Sequence, residues 1–376
     1  MFKLALRQLR LDPSRTLLTA LVLGAVIAVI LILAGFEQGQ YYQLSRIVLK
    51  RQADLVLTQS GVSNFIAVRS SLPQTTRDEV EAVDGVVNAN PLTALPVIYA
   101  KGKLRTPIYV LVYDTIGGPA SIKSGRQIKQ GREIVIDESL AKKYGIKTGD
   151  DFLITDFRFT VVGITNEAAF LMPFAFINYD GMLDLFIESE IAPDLSTFPL
   201  LSFLLVELKP QADRDKVAAM IEQRVPAVDV FTPEKLADRD VNMGRLFFGP
   251  IMGLLVSVGY IIGILVVGLI MYADVRGRIK SFAVLKALGF PARRLNMAVL
   301  YQSVLLLALA APLGAGAAYI LALFIESAAP VYYIYLAEPG TLATTMIASL
   351  AFAVIGALVP LRTIHRSDPM IVFQGA

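Results

Sequence analysis

Four stretches free of charged residues stand out along the chain, at residues 16–36, 246–273, 295–325 and 339–361. Each supplies the roughly 20 apolar residues that a helix needs to cross the hydrocarbon core of a bilayer. The second and third are longer than that, which predicts tilt or helix continuing past the lipid. Between the first and second, residues 37–245 carry a different pattern. Strand-like runs lie at 53–58, 108–113, 133–137, 152–165 and 201–208, and helix-like runs at 76–83, 139–144 and 213–225. The segment "GREIVIDESLAKKYGIKTGDDFLITDFRFTVVGIT" predicts a strand, a short helix stopped by Gly145, a turn at Gly149 and a hairpin. Further on, "SFLLVELKPQADRDKVAAMIEQRVPAVDVFT" predicts a βαβ unit. The whole predicts a membrane protein: an α-helical bundle of four transmembrane helices, with a large extracytoplasmic mixed α/β (α+β) domain of two lobes between the first and second spans.

Composition strengthens the membrane reading. The chain of 376 residues is 55% hydrophobic, with a mean hydropathy of +0.59, too apolar for a protein whose whole surface is wet. Orientation follows from where the bases sit. The segments before the first span, between the second and third, and after the fourth hold twelve Lys and Arg against three acids, whereas the loop between the third and fourth holds Glu326, Glu338 and no base. Both termini and the 274–294 loop are therefore expected in the cytosol, with residues 37–245 outside, in a multi-pass protein of the bacterial inner membrane. The domains expected are 1–36 (an interfacial helix and the first span), 37–245 (the outer domain) and 246–376 (the remaining spans and the cytosolic tail). Phe2, Leu6 and Leu9 share one helical face before the first span, as an interfacial helix would place them. The first apolar run is too long for a secretory signal and lacks a small-x-small cleavage site, so it is expected to stay as an anchor.

Candidate chemistry is sparse. Cysteine is absent and His365 is the single histidine, which excludes thiolate or His-cluster metal sites and a Ser/His or Cys/His triad elsewhere in the chain. Asp150, Asp151 and Asp156 lack the spacing and turn glycine of a calcium loop and read as a solvated turn. Tyr41, Tyr42 and the patch "FLMPFAF" at 170–176 read as core or interface. With no charge inside a span, ion-coupled transport is disfavoured. With no GxxxxGK[ST] phosphate loop, any work done by ATP needs a separate subunit. Ala20, Gly24 and Ala28 in the first span, and the Gly259/Gly263 pair in the second, are spaced for helix packing, within the chain or across a dimer. Pro312, with Gly314 and Gly316, is expected to bend the third span.

The cytosolic loop "RGRIKSFAVLKALGFPARR" predicts a short helix capped by Ser281, stopped by Gly289 and followed by Pro291 at the start of the third span. Phe282 and Leu285 fall on one face of it, an apolar stripe suited to a partner's groove. This segment resembles the FtsX/MacB-like family of ABC permeases, whose loop after the second span reads approximately R-x-x-E-F-A-x-L-K-A-x-G. The matching residues are Arg278, Phe282, Ala283, Leu285, Lys286, Ala287 and Gly289, with Ser281 in place of the usual acid. The span layout and the tail "HRSDPMIVFQG" resemble the family as well. The stretch "REIVIDESLAKKYGIKTGDDFLI" and the loop "APVYYIYLAEP" look most like the haem-exporter (HrtB-type) and DevC-type permeases.

The resemblance implies a permease without enzymatic activity of its own: a homodimer bound to a separate ABC ATPase that carries ATP and magnesium. ATP-driven closure would move the outer domains by mechanotransmission and export or extract a lipophilic substrate, haem, lipid or drug-like, often with a membrane-fusion partner. The residues matched above would form the ATPase-coupling segment. No cofactor is expected in this chain, and no nucleic-acid partner. If haem were the cargo, Met243, Tyr332, Tyr333 and Tyr335 would be the candidate substrate contacts near the outer leaflet, although an interfacial aromatic belt accounts for the tyrosines equally well. The alternative function is a non-transporting envelope regulator or sensor driven by the same kind of ATPase.

Overall fold

The computed structural model describes residues 2–66, 68–169, 171–188, 200–277 and 279–366. Two helices, α1 (Phe2–Leu11) and α2 (Pro13–Leu49), open the chain. Then follow β1 (Leu55–Gln59), β2 (Leu72–Pro73), α3 (Thr75–Glu81), β3 (Val86–Lys101), β4 (Leu104–Tyr113), β5 (Ser124–Gly125), β6 (Glu133–Asp137) and α4 (Glu138–Tyr144). The outer segment continues through β7 (Asp151–Ile154), β8 (Phe157–Thr165), β9 (Ala168–Ala169), β10 (Met172–Asn178), α5 (Tyr179–Glu188), β11 (Leu200–Leu201), β12 (Phe203–Leu208), α6 (Arg214–Arg224) and β13 (Val228–Phe231). Four helices close it: α7 (Pro233–Gly277), α8 (Ile279–Ala287), α9 (Ala292–Ala328) and α10 (Pro339–Arg366).

These elements form two compact units. One is helical and takes the chain up to Gln38, Gly249–Phe324 and the segment from Ile334 onward; the other takes Gly39–Phe248 and Ile325–Tyr333. In the helical unit, Leu23, Ile27 and Ile30 of α2 pack with Val267 and Met271 of α7, Leu306 and Ala310 of α9, and Phe352 of α10. Away from that seam Leu254, Leu265 and Leu269 of α7 and Ile320 and Phe324 of α9 are exposed, as expected of helices whose outer faces meet lipid rather than water. Among the described residues α2, α7 and α9 are long and apolar enough to cross a membrane. The fourth predicted span lies in α10, whose described apolar run, Pro339–Phe352, is shorter than a crossing needs. As the length of its apolar run foreshadowed, α7 overruns its span and begins at Pro233; α2, whose run had only the length of a crossing, also overruns and continues to Leu49. Helix α9 runs unbroken through Pro312.

The other unit is built on one sheet of eleven strands in the order β13-β1-β12-β3-β4-β10-β6-β8-β5, with β7 on β8 and β9 on β10. The pairs β4–β10 and β6–β8 are parallel, and the other pairs along the sheet are antiparallel. The predicted strand–helix–hairpin is β6, α4, β7 and β8. Helix α4 starts where the Asp137 side chain accepts the Ser139 N–H, and it ends at Gly145, which takes the left-handed conformation at φ 62° that costs glycine least. The predicted βαβ unit is β12, α6 and β13, with β1 threaded between the two strands and antiparallel to both. The two-lobed expectation resolves into two halves of one continuous sheet. Helices α3 and α6 cover one half through Val80, Val217 and Ile221. Helices α4 and α5 cover the other through Leu140, Tyr144, Met182 and Leu185.

Two large elements escaped the pattern. Strand β3 carries Pro91 and Pro96, which suit only edge positions, and it pairs with β12 over residues 86–92 and with β4 over residues 92–101, so each proline has a ladder partner on one side. Strand β10 takes the "FLMPFAF" patch from Met172 onward and runs on to Asn178, Phe170 lying outside the described residues; it is buried on both faces, so it shows no alternation. A third core joins the sheet to the helices that lead to it. Leu44, Ile47 and Val48 from the end of α2, and Leu236 and Ala237 from the start of α7, pack with Phe174, Phe176, Phe203 and Leu205.

Candidate functional site

The cytosolic candidate is the segment between α7 and α9. Helix α8 begins at Ile279, so Ser281 sits within its first turn and is not its cap. The prediction placed the start too late: α7 runs to Gly277 and α8 already begins at Ile279. The stop at Gly289 has a Schellman geometry: Gly289 N–H bonds Lys286 C=O at 3.1 Å, Phe290 N–H bonds Leu285 C=O at 3.1 Å, and Gly289 takes φ 86°. Pro291 then accepts the Arg294 and Leu295 N–H groups and opens α9.

That cap decides which way the apolar residues point. Leu285 and Phe290 pack on the cluster of Val275, Leu295 and Val299, and Ala283 is fully buried. The predicted stripe is thus partly consumed inside the subunit. Among the described side chains of the segment, the exposed large apolar ones are Val284 and Leu288, one turn apart, at 41% and 71% exposure. Lys286 is half-buried. Arg278 and the side chains of Phe282 and Ala287 lie outside the described residues. Beside the segment, Asp274 accepts Gln302 Nε2 at 2.6 Å and pairs with Arg15 at 3.4 Å, while Arg15 also reaches the Ala273 carbonyl at 3.4 Å. One buried carboxylate therefore ties α2, α7 and α9 together. Sequence reading missed this knot because its three members lie far apart along the chain.

The small-residue faces pack inside this same unit. A Cβ placed on Gly24 would lie 3.2 Å from the Ala310 carbonyl oxygen, and one on Gly314 would lie 2.6 Å from the Gly24 carbonyl oxygen and 2.9 Å from Ile27 Cβ. Ala20 and Ala28 are buried on the same helix. Gly263 faces Phe352 and Val26 at 3.3 Å, and Gly259 faces Ile30 at 3.4 Å. Replacing Gly314 with valine is expected to force α2 and α9 apart, at an overpacking cost of about 1–3 kcal/mol. A lowered thermal midpoint of the detergent-solubilised chain checks it; an unchanged midpoint would mean that the two helices do not touch there.

The outer unit holds a buried charge network where α2 ends. Arg51 is completely buried. Its guanidinium pairs with Glu167, donates to the carbonyls of Gly117 and Gly118 at 2.7 Å and to Ile47 at 2.9 Å, and lies 5.3 Å from the Phe176 ring centre. Glu167 accepts Ala120 N–H at 2.6 Å, and its own N–H donates to Asp137 at 2.8 Å. Burial pushes the Asp137 carboxyl up to about 6 despite those donors.

The candidate substrate residues do not converge. Tyr335 belongs to the helical unit, where its N–H bonds the Gly35 carbonyl at 2.8 Å. Tyr332 is partly exposed. Tyr333 lines a cavity of about 190 Å³, and Met243 lines another of about 290 Å³ with Tyr109, Met172, Asp240, Phe247 and Phe248. In the second cavity Asp240 is 2% exposed. One oxygen accepts Phe65 N–H at 2.8 Å and the other is buried without a partner, so burial pushes its carboxyl up to about 7. Asp240 precedes the charge-free run of α7 and stands outside the span. A folded-state pKa above the unfolded value means that the native state holds the proton longer, so stability falls as pH rises from about 4 to 7, by at most about 1.4 kcal/mol per unit. Asp240→Asn is expected to flatten that slope in thermal unfolding followed across this range; an identical slope in the variant would assign it to another group. Asp150 and Asp151 serve the hairpin, accepting Lys147 N–H at 2.8 Å and pairing with Arg158 at 3.1 Å.

Comparison with known proteins sets these features in context. The MacB-like periplasmic core domain model matches residues 16–224, and the FtsX-like permease C-terminal model matches residues 253–369. An uncharacterized ABC transporter permease of Mycobacterium tuberculosis (strain ATCC 25618 / H37Rv) is 23% identical over 375 residues, covering 99% of each chain. One of Mycobacterium bovis is 24% identical over 377 residues with the same coverage. The periplasmic region of MacB from Actinobacillus actinomycetemcomitans overlays at a TM-score of 0.37 and 11% identity, covering 50% of this chain and 92% of that one. The extracellular domain of the noncanonic ABC-type transporter YknZ from Gram-positive bacteria overlays at 0.35 and 15% identity, covering 48% of this chain and 100% of that one.

Proposed function

The chain belongs to the FtsX/MacB-like family of ABC transporter permeases, and from that premise we propose that it is the mechanical subunit of a transporter whose separate ATPase docks on α8. The observation that carries this reading is the capped helix between two membrane-length helices, with Val284 and Leu288 left uncovered. Four crossings, with α10 as the fourth, put both termini and α8 in the cytosol and residues 37–245 outside, as the distribution of bases requires. The partner binds ATP and magnesium, since this sequence has no phosphate loop. Two copies of the chain with two ATPases form the working assembly, and a membrane-fusion protein extends it where a second membrane must be crossed.

Helices α2 and α7 each run without a break from an apolar span into the core of the outer unit. A push at α8 on closure of the ATPases therefore reaches the sheet through continuous helices rather than through loops. The cargo is a lipophilic compound, taken up from outside or from the outer leaflet and moved onward by the outer domains. The test is affinity purification of the full chain from native membranes in mild detergent, with mass spectrometry of what accompanies it. A stoichiometric ATPase is expected. An intact, folded chain that never retains one would overturn the proposal and favour a free-standing sensor.

A further inference from the structure

The cavity against the last turns of α2 has a lining that neither the fold nor the ATPase requires. It measures about 190 Å³, and its walls include Tyr42, Gln43, Arg46, Lys50 and Tyr333. Arg46 and Lys50 are one turn apart on one helix face, and among the described residues neither makes an ion pair. The carboxylate that also lines the cavity, Glu167, is already engaged, one oxygen by Arg51 and the other by the Ala120 N–H. The carboxylate behind it, Asp137, accepts the N–H groups of Ser139 and Glu167. Two cations thus border a small open volume, and the two nearby carboxylates that favour the charged Lys50, Glu167 and Asp137, already hold other donors.

The rest of the lining suits the same ligand. The Arg46 guanidinium stands 5.7 Å from the Tyr42 ring centre, and the Tyr42 and Tyr333 rings lie 5.4 Å apart, which gives the cavity an aromatic wall. The Gln43 side-chain oxygen is buried without a donor, and an amide in that position can turn its NH2 inward instead. Burial lowers the Lys50 pKa, so this cation has lost water that an anion would replace. Arg46 lies ten residues beyond Phe36, the last residue of the charge-free run, on one unbroken helix. That is roughly 15 Å of rise, within reach of an amphiphile drawn part-way out of its leaflet and of a free anion alike.

We propose that this cavity is a binding site for an oxyanion, the phosphate or carboxylate head of an amphiphile, with Arg46 and Lys50 as its charged ligands and Tyr42 and Tyr333 flanking the adjoining carbon chain. The test uses the full chain in detergent micelles, titrated calorimetrically with dihexanoyl phosphatidylglycerol, dihexanoyl phosphatidylcholine and inorganic phosphate. Saturable binding of the phosphatidylglycerol is expected, weakened about tenfold or more in Arg46→Gln/Lys50→Gln, since each substitution removes a charge-assisted hydrogen bond. Arg158→Gln/Lys216→Gln removes the same charge from exposed positions of the outer unit and is expected to change nothing. Phosphate that binds as tightly as the lipid, with the same dependence on Arg46 and Lys50, would keep the oxyanion site and name a free anion as its ligand. Equal binding of phosphatidylcholine, native affinity in Arg46→Gln/Lys50→Gln, or equal weakening in both double variants would overturn the site. The readout does not involve an ATPase, so loss of that partner with binding intact would count against the transporter assembly and leave the site standing.

Discussion

Replacing Arg51 with leucine is expected to lower the unfolding free energy of the outer unit by about 3–5 kcal/mol, the cost of stranding one member of a buried ion pair. The leucine removes every donor that the guanidinium gives to Ile47, Gly117, Gly118 and Glu167. Glu167 is then left buried with only the Ala120 N–H on its side chain. Glu167→Gln keeps the shape and the acceptor oxygen but leaves the guanidinium uncompensated, so it should also destabilise. The double variant Arg51→Leu/Glu167→Leu removes both charges and should recover part of the loss. Chemical unfolding of the solubilised chain, followed by circular dichroism, measures all three. A loss below about 1 kcal/mol in Arg51→Leu, as a solvent-screened pair would give, would show that the pair is not buried. The network matters beyond stability. It seats Arg51, two residues past the end of α2, among carbonyls of the loop at 117–118 and beside Phe176 of β10, so a displacement of the helix end pulls on the sheet.

Leu288→Asp combined with Val284→Asp is expected to abolish retention of the ATPase, at least about a hundredfold loss of affinity, while the permease remains folded. Two apolar contacts become two carboxylates that must be desolvated on docking, and the loss of a central interface residue alone costs about 2 kcal/mol or more. Leu285→Asp should behave differently. Its side chain packs on Val275, Leu295 and Val299, so a charge there is expected to lower the thermal midpoint and the yield before docking is tested. Co-purification of the ATPase and thermal unfolding, read together, separate the two. Undiminished retention by the Val284/Leu288 variant, with an unchanged midpoint, would move the docking surface off this face of α8.

Legibility followed the range of the interaction. The apolar runs in α2, α7 and α9, the stop at Gly145, the stop at Gly289 and the start after Pro291 are local signals, and each stood in the sequence as a run length, a left-handed glycine or a missing N–H. The start of α8 failed because a good capping residue, Ser281, is only a preference, and the helix forms from Ile279 without it. Strand β3 escaped because its pairing comes from β12 over residues 86–92 and from β4 over residues 92–101, partners that a local reading does not see. The family resemblance pointed to the segment at 278–289, but a family motif does not say which of its residues turn inward.

By itself the sequence determined that this protein belongs in a membrane and located the apolar runs of α2, α7 and α9, because length and apolarity are properties of contiguous residues. Only the tertiary structure decided that Leu285 is spent inside the subunit while Leu288 is offered outward, that Gly24 meets Gly314, that Asp274 gathers Arg15 and Gln302, and that Arg51 pairs with Glu167 while Arg46 and Lys50 line the cavity beside them. Those outcomes depend on which faces meet across hundreds of residues, and the free energies of burial and charge pairing that select them exist only once the faces have met.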